Sequence, residues 1–249
     1  MGILRSIQIL MIAILFSTSS VQASETLLNH LHHVSQAMSA LYMHGLSEGN
    51  EKYQDEFEQY KYKALISLKK YFSQGGLNSS ELLKRWQDLE GNLNLKHTKD
   101  FGWDLSPNPL VRFELRSYHS DIYKLMVQNK AHYSSYDQQL KLARTQIEAV
   151  SARFYDIAST YDGTESLSNA DFNKLNSKLV SQEVKGNLAR LTSEAPDKAS
   201  KGKLKSIKFK WEFVEESVTD HQNQSAYFLV YATKNNISNA FKGISLKTD

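Results

Sequence analysis

The chain has no cysteine. That excludes a disulfide scaffold and a cysteine nucleophile, and it leaves a lipid-modified anchor with no acceptor thiol. Proline is scarce, three in 249 residues, and with 41% hydrophobic residues this argues against disordered or collagen-like chains. Charge of one sign is also lacking, because 30 Lys plus Arg face 27 Asp plus Glu. A net +3 at this length is far below what a dedicated nucleic-acid binder carries. A persuasive Ser-x-x-Lys set, the Glu-x-x-His and His-Glu-x-x-His zinc patterns and a phosphate-cradling glycine loop are all missing.

What is present begins with an address. Arg5 precedes an apolar stretch from Ile7 to Phe16, and the small polar cluster Ser17-Thr18-Ser19-Ser20 leads to Val21-Gln22-Ala23. A positive start, an apolar segment too short to span a bilayer and small residues before a scissile bond describe a secretory signal peptide over residues 1–23. Cleavage is expected after Ala23, leaving residues 24–249 as a helical domain with a possible subdivision near the 96–109 loop. No second apolar run reaches membrane-spanning length, so no transmembrane span is expected. Export without cysteine suits the periplasm of a Gram-negative bacterium.

Apolar periodicity along the remainder is helical. Leu27, Leu31, Val34, Met38 and Leu41 form one stripe, placing a first helix from Ser24 to about Gly45. Tyr53, Phe57, Tyr60, Ala64 and Leu68 form a second, ending near Phe72 before Gly75-Gly76, and the two read as a helical hairpin. Asn78 with Glu81 has the layout of an N-cap and its reciprocal partner, opening a third helix through Leu82, Trp86, Leu89 and Leu93. Residues 96–109, with Gly102, Trp103 and Ser106-Pro107-Asn108-Pro109, interrupt the pattern and form a candidate functional loop.

Helical spacing resumes in Phe113, Leu115, Tyr118, Ile122 and Leu125, from Leu110 to about His132. It is cleanest in Leu140, Ala143, Ile147, Val150, Phe154 and Ile157. Phe172, Leu175, Leu179, Leu188 and Leu191 follow after a polar turn near Asp162-Gly163. Two patterns compete at 204–218. Ile207, Phe209, Trp211 and Phe213 alternate with Lys208, Lys210 and Glu212 as a strand would, whereas Leu204, Ile207, Trp211, Val214 and Val218 fit a helix. The longer helical stripe is preferred, with Ala226 to Phe241 as a last helix. The predicted fold is an all-α multi-helix bundle of antiparallel hairpins, with a small β-hairpin near 207–232 as the alternative.

Chemistry-bearing residues are few. His30 and His33 share a helix face beside His32, but a metal site needs further ligands and oriented imidazoles, so no metal and no cofactor is expected. Ser35 and Ser177 read as ordinary helix serines, and no catalytic residue is assigned. Glu48, Glu51, Asp55, Glu56 and Glu58 fit a solvated helix start better than an acid–base pair. Lys198, Lys201, Lys203, Lys205, Lys208 and Lys210 form a basic run able to meet an acidic face. Trp103, Lys203, Lys205, Lys208 and Lys210 are therefore the candidate contact residues. The functional expectation is an exported, periplasmic, non-enzymatic binding or accessory protein contacting an envelope or sensory partner protein or a small ligand. An enzyme with a convergent His/carboxylate site is the alternative.

Overall fold

The computed structural model describes residues 2–93, 109–159, 175–220 and 226–244, with side chains from residue 22 onward in the first helix. The elements are α1 (Gly2–Leu46), α2 (Glu51–Ser73), α3 (Ser79–Asn92), α4 (Pro109–Gln128), a 3-10 turn (Lys130–His132), α5 (Tyr136–Ala158), α6 (Ser177–Ser193), α7 (Lys198–Asp220) and α8 (Tyr227–Lys242). The described residues contain no strand. The all-α expectation is thus met, and the hairpin alternative at 207–232 gives way to α7 and α8. In α7 the residues Leu204, Ile207, Trp211, Val214 and Val218 all point inward, which puts Phe209 and Phe213 on the opposite side of the helix.

Two helices have almost no solvent face. Between Ala23 and His44 only Glu25, Asn29 and His33 of α1 escape full burial, and from Thr145 to Ile157 every residue of α5 is buried. A helix buried on all sides lies at the centre of a core rather than on its surface. Helices α2 and α4 pack on α1, and α3 packs across both. Helices α6 and α8 pack on α5, with α7 bridging them. Two four-helix rings, α1–α4 and α5–α8, are therefore joined where α1 meets α5, and one continuous hydrophobic cluster runs through both.

Local chemistry sets the ends. Asn50 caps α2 by accepting from Lys52 N at 3.0 Å. Ser135 and Gln138 form a reciprocal capping box on α5. The expected box at Asn78 and Glu81 does not form: Asn78 is left-handed, at φ 56°, and its side chain makes no cap bond. Gly75 has φ +69°, and a Cβ on Gly76 would lie 2.2 Å from the Tyr71 ring, so the chain reverses there only with glycine.

Other boundaries also differ from expectation. α1 begins upstream of Ser24 and runs unbroken through the expected cleavage position, while α4 stops at Gln128 and the 3-10 turn carries the chain to His132. Phe113, expected on an inward stripe, faces solvent. In α6 the inward stripe is Val180, Val184, Leu188 and Leu191, whereas Leu179 is 59% exposed. Phe172 lies outside the described residues.

Leu188 and Leu179 share a helix and a side chain but differ in burial. Leu188→Ala is expected to cost about 2–5 kcal/mol of unfolding free energy as a core cavity, and Leu179→Ala about 0.5 kcal/mol or less. Urea unfolding of the two variants checks this, and equal losses would contradict the inward stripe.

Candidate functional site

The polar residues of α1 and α5 meet partners from other helices in three buried centres. The first surrounds His30. Its Nδ1 lies 2.9 Å from the Ala64 carbonyl oxygen and its Nε2 lies 2.8 Å from the Tyr118 hydroxyl. A carbonyl can only accept, so Nδ1 carries the hydrogen and Tyr118 donates to Nε2. Trp86 and Tyr118 close on the ring edge-on, with centroids 5.7 and 5.9 Å away. Burial lowers the His30 pKa to about 3, outweighing the bond to Ala64.

The second centre is ionic. Asp156 of α5 is fully buried and receives Arg112 Nε at 2.9 Å, Arg116 Nε at 2.7 Å and Arg153 Nη1 at 2.6 Å. Burial alone would raise its pKa, but the bond from Arg116 and the charges of Arg112 and Arg153 hold it below the usual carboxylate range. Arg112 also donates to the Asp156 carbonyl oxygen and to Ser159 Oγ, and so caps the carbonyl end of α5. Tyr42 of α1 lies under the Arg112 guanidinium, 4.9 Å from ring centroid to Cζ. Nearby, Ser35 Oγ donates to the Leu31 carbonyl at 2.8 Å, so it accepts from His119 Nε2 at 2.9 Å. With its hydrogen committed to a carbonyl and the imidazole acting as donor, Ser35 is not set up as a nucleophile.

The third centre joins α5 to α8 and α2. Lys234 donates to Glu148 Oε2 at 2.9 Å, with both side chains almost wholly enclosed. Tyr231 donates to Glu56, and its ring meets Tyr53 at 5.1 Å and Tyr155 at 5.8 Å. Glu56 is thus the one member of the acidic cluster drawn into a tyrosine contact, whereas Glu51 and Asp55 stay exposed and Glu58 pairs with Lys61 on its own helix.

The histidine group disperses. His30 faces Tyr118, while His33 Nδ1 donates to Ser67 Oγ at 2.9 Å, since that hydroxyl gives its own hydrogen to the Lys63 carbonyl. No group of three metal-ligating side chains occurs among the described residues. Trp103 lies outside the described residues, as does nearly all of the 96–109 loop.

Lys203, Lys205, Lys208 and Lys210 all lie on α7 but do not form one patch. At 100° per residue, Lys203 and Lys210 fall on one flank of the buried stripe, while Lys205 and Lys208 fall on the other side of the helix. Lys203 reaches the Gly243 carbonyl at the end of α8, and Lys208 pairs with Glu212 at 3.5 Å. The outward residues between them include two that the sequence pattern had suggested for a strand: Phe209 and Phe213 are 72% and 62% exposed. They stand one turn apart on the open face.

Lys205 and Glu216 share this face, and neither makes an ion pair with another described residue. The inner edge of α7 is fixed to α6 instead. Trp211 Nε1 donates to Ser181 Oγ at 3.0 Å, Ser181 donates to Glu215 at 2.7 Å, and Lys185 pairs with Glu215 at 2.9 Å.

The buried centres predict acid sensitivity. Burial lowers His30 to about 3, and His33 and His119 to about 4 each, and it takes His32 well below 6.5. Below pH 6.5 the unfolded chain binds protons that the folded chain refuses. Stability is therefore fully present above pH 6.5 and falls as pH drops toward 4, by up to about 1.4 kcal/mol per pH unit for each histidine. Asp156 adds its own loss below about pH 4. Urea midpoints should decline from pH 7.5 to 5, and a flat profile would contradict the closed histidines. Asp156→Asn, which strands three guanidinium groups, should cost about 3–5 kcal/mol and lower Tm by about 10 °C.

No protein-family model, curated protein or solved structure matches this chain.

Proposed function

We propose that this chain is an exported, periplasmic helical-bundle protein that works by binding a protein partner in the cell envelope rather than by catalysis, and that the outer face of α7 is its contact surface. The observation that carries this reading is the exposure of Phe209 and Phe213 one turn apart, beside Lys205, which makes no ion pair with another described residue. Aromatic side chains left in water at the centre of a helix face are the kind of residue that anchors protein interfaces. The groups that could serve catalysis are used differently. His30, His33 and His119 are held neutral by burial with their ring nitrogens in internal bonds, Glu51 and Asp55 stay on the surface of α2, and Glu56 is bonded by Tyr231. The alternative of a convergent His/carboxylate site finds no such convergence among the described residues.

A photo-crosslinking residue placed at position 209 in cells tests the reading. Adducts with an envelope protein are expected from position 209 and not from position 62, where Tyr62 is 63% exposed on α2. Equal adducts from both, or none from 209, would overturn the placement. Mass spectrometry of the same material should find Ser24 as the first residue, and an intact Met1 would overturn export by a cleaved signal.

A further inference from the structure

Helix α7 carries its charge the wrong way round. All six of its lysines lie between Lys198 and Lys210, and its acids follow from Glu212 onward. No acid stands in its first turn and no base in its last. A helix N-terminus is the positive end of the backbone dipole and its C-terminus the negative end, so both halves oppose the dipole. Asp197 relieves only the first turn, by accepting from Ser200 N at 2.7 Å.

Where α7 has a neighbour, that neighbour answers the inverted charge. Lys203 donates to the C-terminal carbonyl of Gly243 on α8, and Glu215 receives Ser181 and Lys185 from α6. Both neighbours are joined to α7 by short connections and run antiparallel to it, so their dipoles are opposed to its own. The open side holds Lys198, Lys205, Phe209, Glu212, Phe213 and Glu216 within about 100° of arc, and no helix among the described residues covers it.

We infer that a second copy of this chain covers that face, with the two α7 helices antiparallel about a two-fold axis between residues 210 and 211. The inference rests on the reading of α7 as a contact surface: a second copy holds this face in the free protein, and an envelope partner takes its place on binding. Lys205 and Glu216 stand about 8 Å along the helix on either side of that point, so each lysine meets the partner copy's glutamate. The phenylalanines at 209 and 213 lie close to the axis and pack against their counterparts. One self-complementary patch thereby satisfies both copies, as a two-fold contact requires. The acids argue against an anionic lipid surface, because Glu212 and Glu216 would be pressed toward headgroups of their own sign.

Sedimentation equilibrium of the purified chain over a range of concentrations, with melting curves to confirm folding, tests the arrangement. The wild type should show a monomer–dimer equilibrium. Phe209→Ser with Phe213→Ser should abolish it. Lys205→Glu and Glu216→Lys should each weaken it about tenfold, since symmetry counts every contact twice, and the double reversal should restore it. A wild type that stays monomeric, or a dimer indifferent to the phenylalanine changes, would overturn the inference. So would failure of the double reversal to rescue, or binding to anionic phospholipid vesicles by the monomer. Envelope adducts at position 209 with a monomeric chain would leave the proposed function standing and remove only the dimer. A dimer without such adducts would do the reverse.

Discussion

A helix with no solvent face must look inside the protein for partners to its polar groups, and most of those on α1 and α5 find one among the described residues, with His32 Nδ1, Tyr42 Oη, Ser151 Oγ and Tyr155 Oη among the exceptions. Short hydroxyl residues can do so locally: Ser35 and Ser39 return their hydrogens to carbonyls four residues back. Larger polar side chains need another helix. His30 therefore joins α1 to α2 and α4, Asp156 joins α5 to α4, and Glu148 joins α5 to α8. The apolar contacts around them would tolerate a slide or a rotation of one helix past another at modest cost, whereas these bonds would not, because an unpaired buried donor or charge is expensive. The polar centres thus set the register of a core whose bulk is Leu, Val, Ile and Tyr.

The Asp156 centre shows how local and distant forces combine. Three guanidinium groups beside one carboxylate leave an excess of positive charge, and the carbonyl end of α5 helps absorb it by accepting from Arg112. The negative end of a helix dipole is a favourable place for such a cation. Tyr42 adds the electron-rich face of its ring from α1. The site thereby ties the start of α4, the end of α5 and the C-terminal half of α1 together, even though Arg112 and Asp156 are 44 residues apart.

Much of this was legible in the sequence where the signal was local. The stripes of α1, α2 and α5 followed from spacing alone, and at 204–218 the longer period correctly outweighed the alternation of Phe209, Trp211 and Phe213. Asn78 misled because a capping pattern says nothing of the backbone: its φ is positive, and its side chain makes no cap bond. Leu179 misled because periodicity counts apolar residues without knowing which neighbour is near, and Val180 supplied the inward contact instead. The buried pairings were not legible, since most join residues 34 to 88 apart and Glu56 to Tyr231 spans 175. Even so, Arg112, Arg116 and His119 on the inner face of α4, and Asp156 within the cleanest apolar stripe of α5, were anomalies that could have been noticed.

The basic run was read as a patch because lysines at nearly every second position look continuous on paper. Wrapped on a helix they separate, and what remains together on the open face is a bipolar row with phenylalanine at its middle. Such a row gains little from a uniformly acidic partner, which would be attracted at one end and repelled at the other. It gains most from a partner whose charges run in the opposite order, and for an antiparallel encounter the same helix has that order. The inversion against the dipole, unfavourable for the single chain, becomes complementary once a reversed helix lies beside it. Within the chain, single groups already answer α7 on two sides, the Gly243 carbonyl for Lys203 and Lys185 for Glu215, and the third side has the charges for a whole reversed helix.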